Sequence, residues 1–311
     1  MGTTPPLLQT LIGRAASAYT AGPAEEHART ACEHAARKQL ASVVCYWNRS
    51  DDSPAFVAQS YVRLLQMIAD LGTDSYLSVK APAFGFDGAL LKTILEKAQV
   101  GKRFVHFDAM APDTVDRTFQ LLDQARHSYA NIGYTLPGRW RRSVQDADSA
   151  VELGLRVRVV KGEWSGLTGD DTDMRDGYMQ VVERLALRHA RHVAVATHDV
   201  ELASNCLDCL KSAGISCDIE LLYGLPKRAM LDLARRYEVR ARIYIPYGEA
   251  WLPYRLKDIF RNPRIFSWFA RDLVRGSSNF VGCLRTYQRL LPTKVRENYG
   301  QSPSRLPSRP H

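Results

Sequence analysis

Eight short apolar runs rich in β-branched residues recur along the chain, each bounded by polar or turn residues. They are "LASVVCYW" (40–47), "SYLSVKAP" (75–82), "RFVHFDAM" (103–110), "NIGYTLP" (131–137), "LRVRVVKG" (155–162), "HVAVATHD" (192–199), "SCDIELLYG" (216–224) and "VRARIYIPYG" (239–248). Between them lie amphipathic stretches of helical period, among them "FVAQSYVRLLQMIADLG", "DTVDRTFQLLDQARHSY" and "GYMQVVERLALRHA". Parallel strands need crossover helices, so this alternation predicts an α/β protein and, at eight units, a (β/α)8 barrel. A doubly wound open sheet is the architectural rival. The predicted barrel spans 40–276, preceded by a helical segment over 1–39 ("LLQTLIGRAASAYT", "AEEHARTACEHAARKQLA") and followed by a tail over 277–311. The segment 251–274 reads as an eighth helix, and the Ser/Pro/Arg-rich end as disordered.

Charge and cysteine usage narrow the function classes. The net charge is +9, but six Lys/Arg against one acid fall between Arg285 and His311, which reads as a solvated basic tail. No basic stripe interleaved with aromatics points to nucleic acid. Cys206 and Cys209 resemble half a zinc site without its other half and fall in a predicted helix, so they read as partly buried thiols. Cys45 and Cys217 lie in predicted strands and are expected in the core. Scattered cysteines suit a reducing compartment, and no signal peptide or membrane-length apolar run is seen; the expectation is a cytoplasmic protein with at most peripheral membrane contact through its tail.

In a barrel, the C-terminal ends of the strands face the active site. That end is expected to present Lys80, Asp108, Arg158 with Lys161, Thr197-His198-Asp199, Glu220 and Tyr244. Lys80, Arg158 and Lys161, with His198 able to join them, form a cationic group that calls for an anionic ligand or cofactor. The set lacks the paired histidines of barrel metal hydrolases, so no metal is expected. No Gly-x-Gly-x-x-Gly follows a strand, which argues against a nicotinamide cofactor. A Schiff-base lysine at Lys80 or Lys161, as in an aldolase, stays open.

The motifs "LRVRVVKGEW", "ATHD", "ELLYGL" and "RIYIPYGEAWLPY", in that order, resemble the flavin-dependent proline dehydrogenases of the short, monofunctional bacterial kind. The resemblance covers about 40–276. It implies a distorted (β/α)8 TIM barrel with N-terminal helices, a C-terminal substrate-recognition helix, and FAD at the strand ends. The cofactor-binding residues it implies are Arg158, Lys161, Gly162, Thr197, His198 and Glu220, with Arg158 beside the flavin N5. Lys80 matches a lysine that reaches the substrate carboxylate, Asp108 a carboxylate that orders the pocket, and Tyr244 and Tyr254 pocket tyrosines. The implied chemistry is hydride removal next to an amine nitrogen, leaving an imine, with quinone, oxygen or a carrier as electron acceptor.

The chain departs from the family pattern in three places. Lys257 and Asp258 stand where the family carries an Arg-Arg pair that clamps the proline carboxylate; an ammonium cannot make the bidentate fork, and an aspartate repels a carboxylate. Pro137 falls on a flavin-contacting glutamine, and Glu163 on a position that is usually small. Two readings follow: flavin chemistry on a changed nitrogen-containing substrate, better suited to secondary metabolism, or a degenerate barrel that binds flavin or ligand without turnover.

Overall fold

The computed structural model describes residues 19–248. The chain enters through α1 (Glu25–Arg37) and then alternates strand and helix: β1 (Ala41–Tyr46), α2 (Pro54–Leu71), β2 (Ser75–Val79), α3 (Gly88–Val100), β3 (Val105–Phe107), α4 (Val115–Arg126), β4 (Ile132–Pro137), α5 (Ser143–Glu152), β5 (Arg156–Val160), α6 (Met174–Leu187), β6 (Val193–Ala196), α7 (Val200–Ser212), β7 (Cys217–Leu222), α8 (Arg228–Arg236) and β8 (Arg240–Tyr247). All eight strands are parallel and pair in sequence order. Pairing of β8 with β1, with Val43 opposite Tyr244, closes the barrel and leaves no open sheet edge. The closed sheet bears out the barrel and excludes the open doubly wound alternative.

Local chemistry sets the helix limits. Ser53 caps α2, its hydroxyl accepting from the Phe56 N–H, Pro54 occupies the first turn, and Gly72 ends the helix in the left-handed conformation. Asp173 and Asp199 cap α6 and α7 through backbone N–H groups of their first turns. The strands are shorter than the apolar runs that announce them. β2 stops at Val79, and Lys80 instead begins the 3-10 turn Ala81–Phe84; β6 stops at Ala196, leaving Thr197 and His198 on the following loop. Loops beyond the strand ends free these side chains from the sheet's alternation.

Alternation along the strands divides the side chains into two environments. Outward-facing Val44, Leu77, Phe107, Leu136, Val159, Val195, Ile219 and Ile245 join the helices in one continuous core. Cys45 and Cys217 are buried in strands as expected, Cys206 is buried on α7, and neighbouring Cys209 is half-buried. Inside the barrel, by contrast, the apolar cluster shrinks to Val43, Tyr76 and Phe104, with Tyr244 packed on it. Much of the rest of the interior is polar: the charged Arg158, Glu220, Arg242 and Asp218, and the histidines His106 and His192. A barrel interior is ordinarily filled by layers of branched apolar residues. Here ion pairs fill much of that space, and each buried charge therefore needs a partner.

The helix α1 packs on β1 and β8, as the second N-terminal helix was expected to. The first N-terminal helix, the eighth helix with Tyr254, Lys257 and Asp258, and the boundary at 276/277 lie outside the described residues. Among the described residues no helix is long and apolar enough to cross a membrane.

Candidate active site at the C-terminal mouth of the barrel

Arg158 stands in the middle of β5 and points inward, with 3% of its surface exposed. Its guanidinium is held on three sides. Nη1 donates to Asp108 Oδ1 at 2.6 Å, Nε to Glu220 Oε2 at 2.6 Å, and Nη2 to the Tyr76 hydroxyl at 3.2 Å. Tyr76 in turn donates to the other Glu220 oxygen. Asp108 is satisfied on both oxygens: Oδ1 also accepts from Ser78 at 2.8 Å, and Oδ2 accepts from Tyr244 at 2.7 Å and, weakly, from the Cys45 thiol at 3.6 Å. The Tyr244 ring lies 5.1 Å from the guanidinium carbon. Five strands thus deliver side chains to one cation.

The network has physical consequences for each titratable member. Burial by itself depresses the Arg158 pKa, but Glu220, Tyr76 and Asp108 outweigh it and hold the guanidinium well above the ordinary arginine value. Tyr244 and Tyr76 are both raised, first by burial and then by the adjacent carboxylates, Asp108 for one and Glu220 for the other. Both remain hydrogen-bond donors. Burial pushes the Cys45 thiol up to about 12, so it is not a nucleophile at neutral pH.

Around this centre sits a looser rim. Lys161 Nζ is 3.3 Å from Asp199 Oδ2, which Arg175 also approaches at 3.7 Å. Thr197 accepts a hydrogen bond from the Asp199 N–H. Lys80 Nζ lies 5.3 Å above the Trp47 ring, and its backbone N–H donates to Tyr61. Gly162 adopts φ +99°, and a Cβ there would come within 3.0 Å of Pro137 and Arg139. That is why glycine follows Lys161: backbone alone fits at this point of the rim.

Two expectations need correction. Arg158 and Glu220 are not rim residues; both sit within the strands, and the positive charge of Arg158 is already met by Asp108 and Glu220. The expected cationic cluster therefore reduces to Lys80 and Lys161. Nor does His198 join the cations. Its Nε2 accepts from the Leu222 N–H at 2.9 Å while Nδ1 faces the Pro226 carbonyl at 3.1 Å, which assigns the neutral Nδ1–H tautomer and ties the loop after β6 to the end of β7. The expected residues that do come together are Asp108, Arg158, Glu220 and Tyr244. Tyr76, Ser78 and Thr135 complete the network and were missed, although period-two spacing from Lys80 places Tyr76 and Ser78 on its face.

Beneath the network, His106 is buried with Nε2 2.8 Å from Thr135, and its pKa is driven well below the usual value by burial and then by Arg158 and Arg156. His192 is lowered to about 3, again chiefly by burial. A histidine kept neutral in the fold stabilises fully above the unfolded value, near pH 6.5, and that stability is lost as the pH falls below it. Chemical denaturation is expected to show a loss of about 2 kcal/mol per histidine between pH 7 and pH 5, reduced by about half in His192→Asn. A flat profile over that interval overturns the assignment.

No protein-family model matches the sequence. Curated relatives do. Proline dehydrogenase 2 of Bacillus subtilis is 25% identical over 215 residues, 65% of this chain and 70% of that protein. Proline dehydrogenase 1 of Bacillus subtilis subsp. natto is 25% identical over 272 residues, covering 83% of this chain and 90% of that protein. The Deinococcus radiodurans proline dehydrogenase is 25% identical over 282 residues. Among solved structures, proline utilization A from Bdellovibrio bacteriovorus superposes with a TM-score of 0.68 at 16% identity over 79% of this chain, and its counterpart from Corynebacterium freiburgense with 0.64 at 14% over 80%. This chain spans about a third of those longer proteins, at 32% and 31%, and at such identity they speak for the fold alone. In sequence, then, this chain is similar to curated proline dehydrogenases, and in fold its barrel is similar to that of proline utilization A.

Proposed function

We propose that this chain is a flavin-dependent oxidoreductase that removes a hydride from the carbon next to an amine nitrogen, on a proline-like or other nitrogen-containing small molecule. The observation that carries the reading is the Arg158–Asp108–Glu220–Tyr244 network at the mouth of a barrel whose curated relatives are proline dehydrogenases.

The residues present fit FAD. Lys80 makes no ion pair among the described residues, Lys161 stands at the rim, and the left-handed Gly162 offers bare backbone beside them. Arg158, Lys161, Gly162, Thr197, His198 and Glu220 are assigned to hold the cofactor, which when bound supplies the hydride acceptor. The protein's own part is orientation and electrostatics. Asp108 and Glu220 fix the guanidinium plane of Arg158, and Tyr244 fixes Asp108, so that no reorganisation is needed during reaction. Lys80 is assigned to meet an anionic group of the substrate. No covalent step is called for, since Cys45 is protonated and buried. The Schiff-base alternative draws less support: Lys161 is engaged by Asp199, and Lys80 lies over the Trp47 ring.

Substrate specificity is assigned to Lys257–Asp258, where an acidic side chain disfavours a carboxylate and favours a cationic or hydrogen-bonding group. The test is the visible absorption spectrum of the purified protein, before and after anaerobic addition of proline, then other cyclic amines and hydrazines. A flavin band bleached by another amine but not by proline is the expected result. Asp258→Arg is then expected to raise proline turnover at least tenfold. Bleaching by proline at a rate the variant does not improve removes the altered-specificity assignment, and absence of flavin after reconstitution with FAD overturns the whole reading.

A further inference from the structure

The opposite mouth of the barrel, at the N-terminal ends of the strands, holds an open cleft of about 540 Å3 lined by Arg156, Arg191, His192, Lys211, Ser216 and Arg240, with Asp218 and Glu238 as its carboxylates. We propose that this cleft binds a phosphate monoester, with the phosphate held between Arg156, Lys211 and Arg191.

Four cationic side chains face two carboxylates there, and the carboxylates do not neutralise them. Asp218 is already engaged by Arg242, its Oδ2 3.2 Å from Nη2. Glu238 is exposed and makes no ion pair among the described residues. Arg240 is taken by Asp74 at 2.8 Å. Arg156, Lys211 and Arg191 have no carboxylate partner among the described residues; Arg156, half-buried, is held only by its face, stacked 4.4 Å above Phe104. A partly desolvated guanidinium with no carboxylate partner favours an anion, and phosphate matches its fork.

His192 forms part of the cleft wall rather than a ligand contact: Nδ1 is 3.0 Å from Ser216 Oγ, and the enclosed Nε2 faces Asp218 at 3.7 Å. The cleft exceeds what a bare phosphate fills, which leaves room beside the anion for a small organic group.

Calorimetric titration of the full chain tests this with glycerol phosphate, inorganic phosphate and malonate at constant ionic strength. Glycerol phosphate is expected to bind one per chain and more tightly than inorganic phosphate, and to bind at least tenfold more weakly to Arg156→Gln. Lys211→Gln, at an exposed position, gives the same readout should the Arg156 variant fail to fold. Equal binding of both phosphates leaves the anion site standing and removes the organic group. Malonate binding as tightly, retention of affinity in the Lys211 variant, or loss of it in Lys161→Gln at the other mouth each overturns the proposal.

Discussion

Arg158→Met is expected to unfold the protein at temperatures where the parent chain is stable, because it leaves the buried Glu220 and the largely buried Asp108 without the cation that both of them bind. Removing one partner of a buried ion pair costs about 3–5 kcal/mol, and here two carboxylates lose the same partner. The cost comes from uncompensated charge rather than from missing contacts. It should therefore be recovered largely by the triple variant Arg158→Met, Asp108→Asn, Glu220→Gln, which removes the charges together. Urea denaturation of the two variants separates these effects. A single variant within about 1 kcal/mol of the parent would falsify the account of the network as a charge-balanced unit. The triple variant also divides folding from function: it is expected to fold, to show no turnover of any amine, and to retain at most weak flavin affinity.

Gly177→Ala is expected to have the next largest effect. Gly177 is in the first turn of α6, and a Cβ added there would lie 1.9 Å from the Gly138 carbonyl oxygen and 2.6 Å from Thr172 Cγ2. The Gly138 backbone on one side and the short, β-branched Thr172 on the other leave little that can yield. Overpacking of a rigid contact costs about 1–3 kcal/mol and more where backbone must move, so a fall in Tm on the order of 10 °C is expected for a domain of this size. The same turn joins the rim, since Gly138 N–H donates to Val160 and Arg139 N–H to Lys161. Differential scanning calorimetry would show the loss, and a Tm within about 2 °C of the parent would remove the close approach as a constraint.

Much of the barrel is legible in the chain because a strand buried on one face by helices must carry apolar residues at every second position, and each crossover must return through an amphipathic helix. Val157 and Val159 alternate with Arg156 and Arg158, and Tyr134 and Leu136 with Gly133 and Thr135. The alternation names the residues that face inward. It does not say which of them touch. Arg158 and Glu220 are 62 residues apart and Tyr76 and Arg158 are 82 apart, and they meet because the barrel closes with a particular stagger. His198 shows the converse failure: its type and its place after β6 suggested a cation, while the loop geometry makes it a hydrogen-bonded strut between the Leu222 N–H and the Pro226 carbonyl.

The sequence by itself determined eight parallel strands, the helices between them, and the mouth at which chemistry-bearing residues gather, since periodicity and capping are local properties of the chain. Tertiary structure alone decided how the charges pair. It turned Arg158 from a free anion-binding group into the hub of a carboxylate network, and it left Arg156, two residues earlier on the same strand, without a carboxylate partner among the described residues at the opposite mouth. The physical reason is that an ion pair depends on distances of a few ångströms between residues far apart in sequence, and these exist only once the sheet has closed.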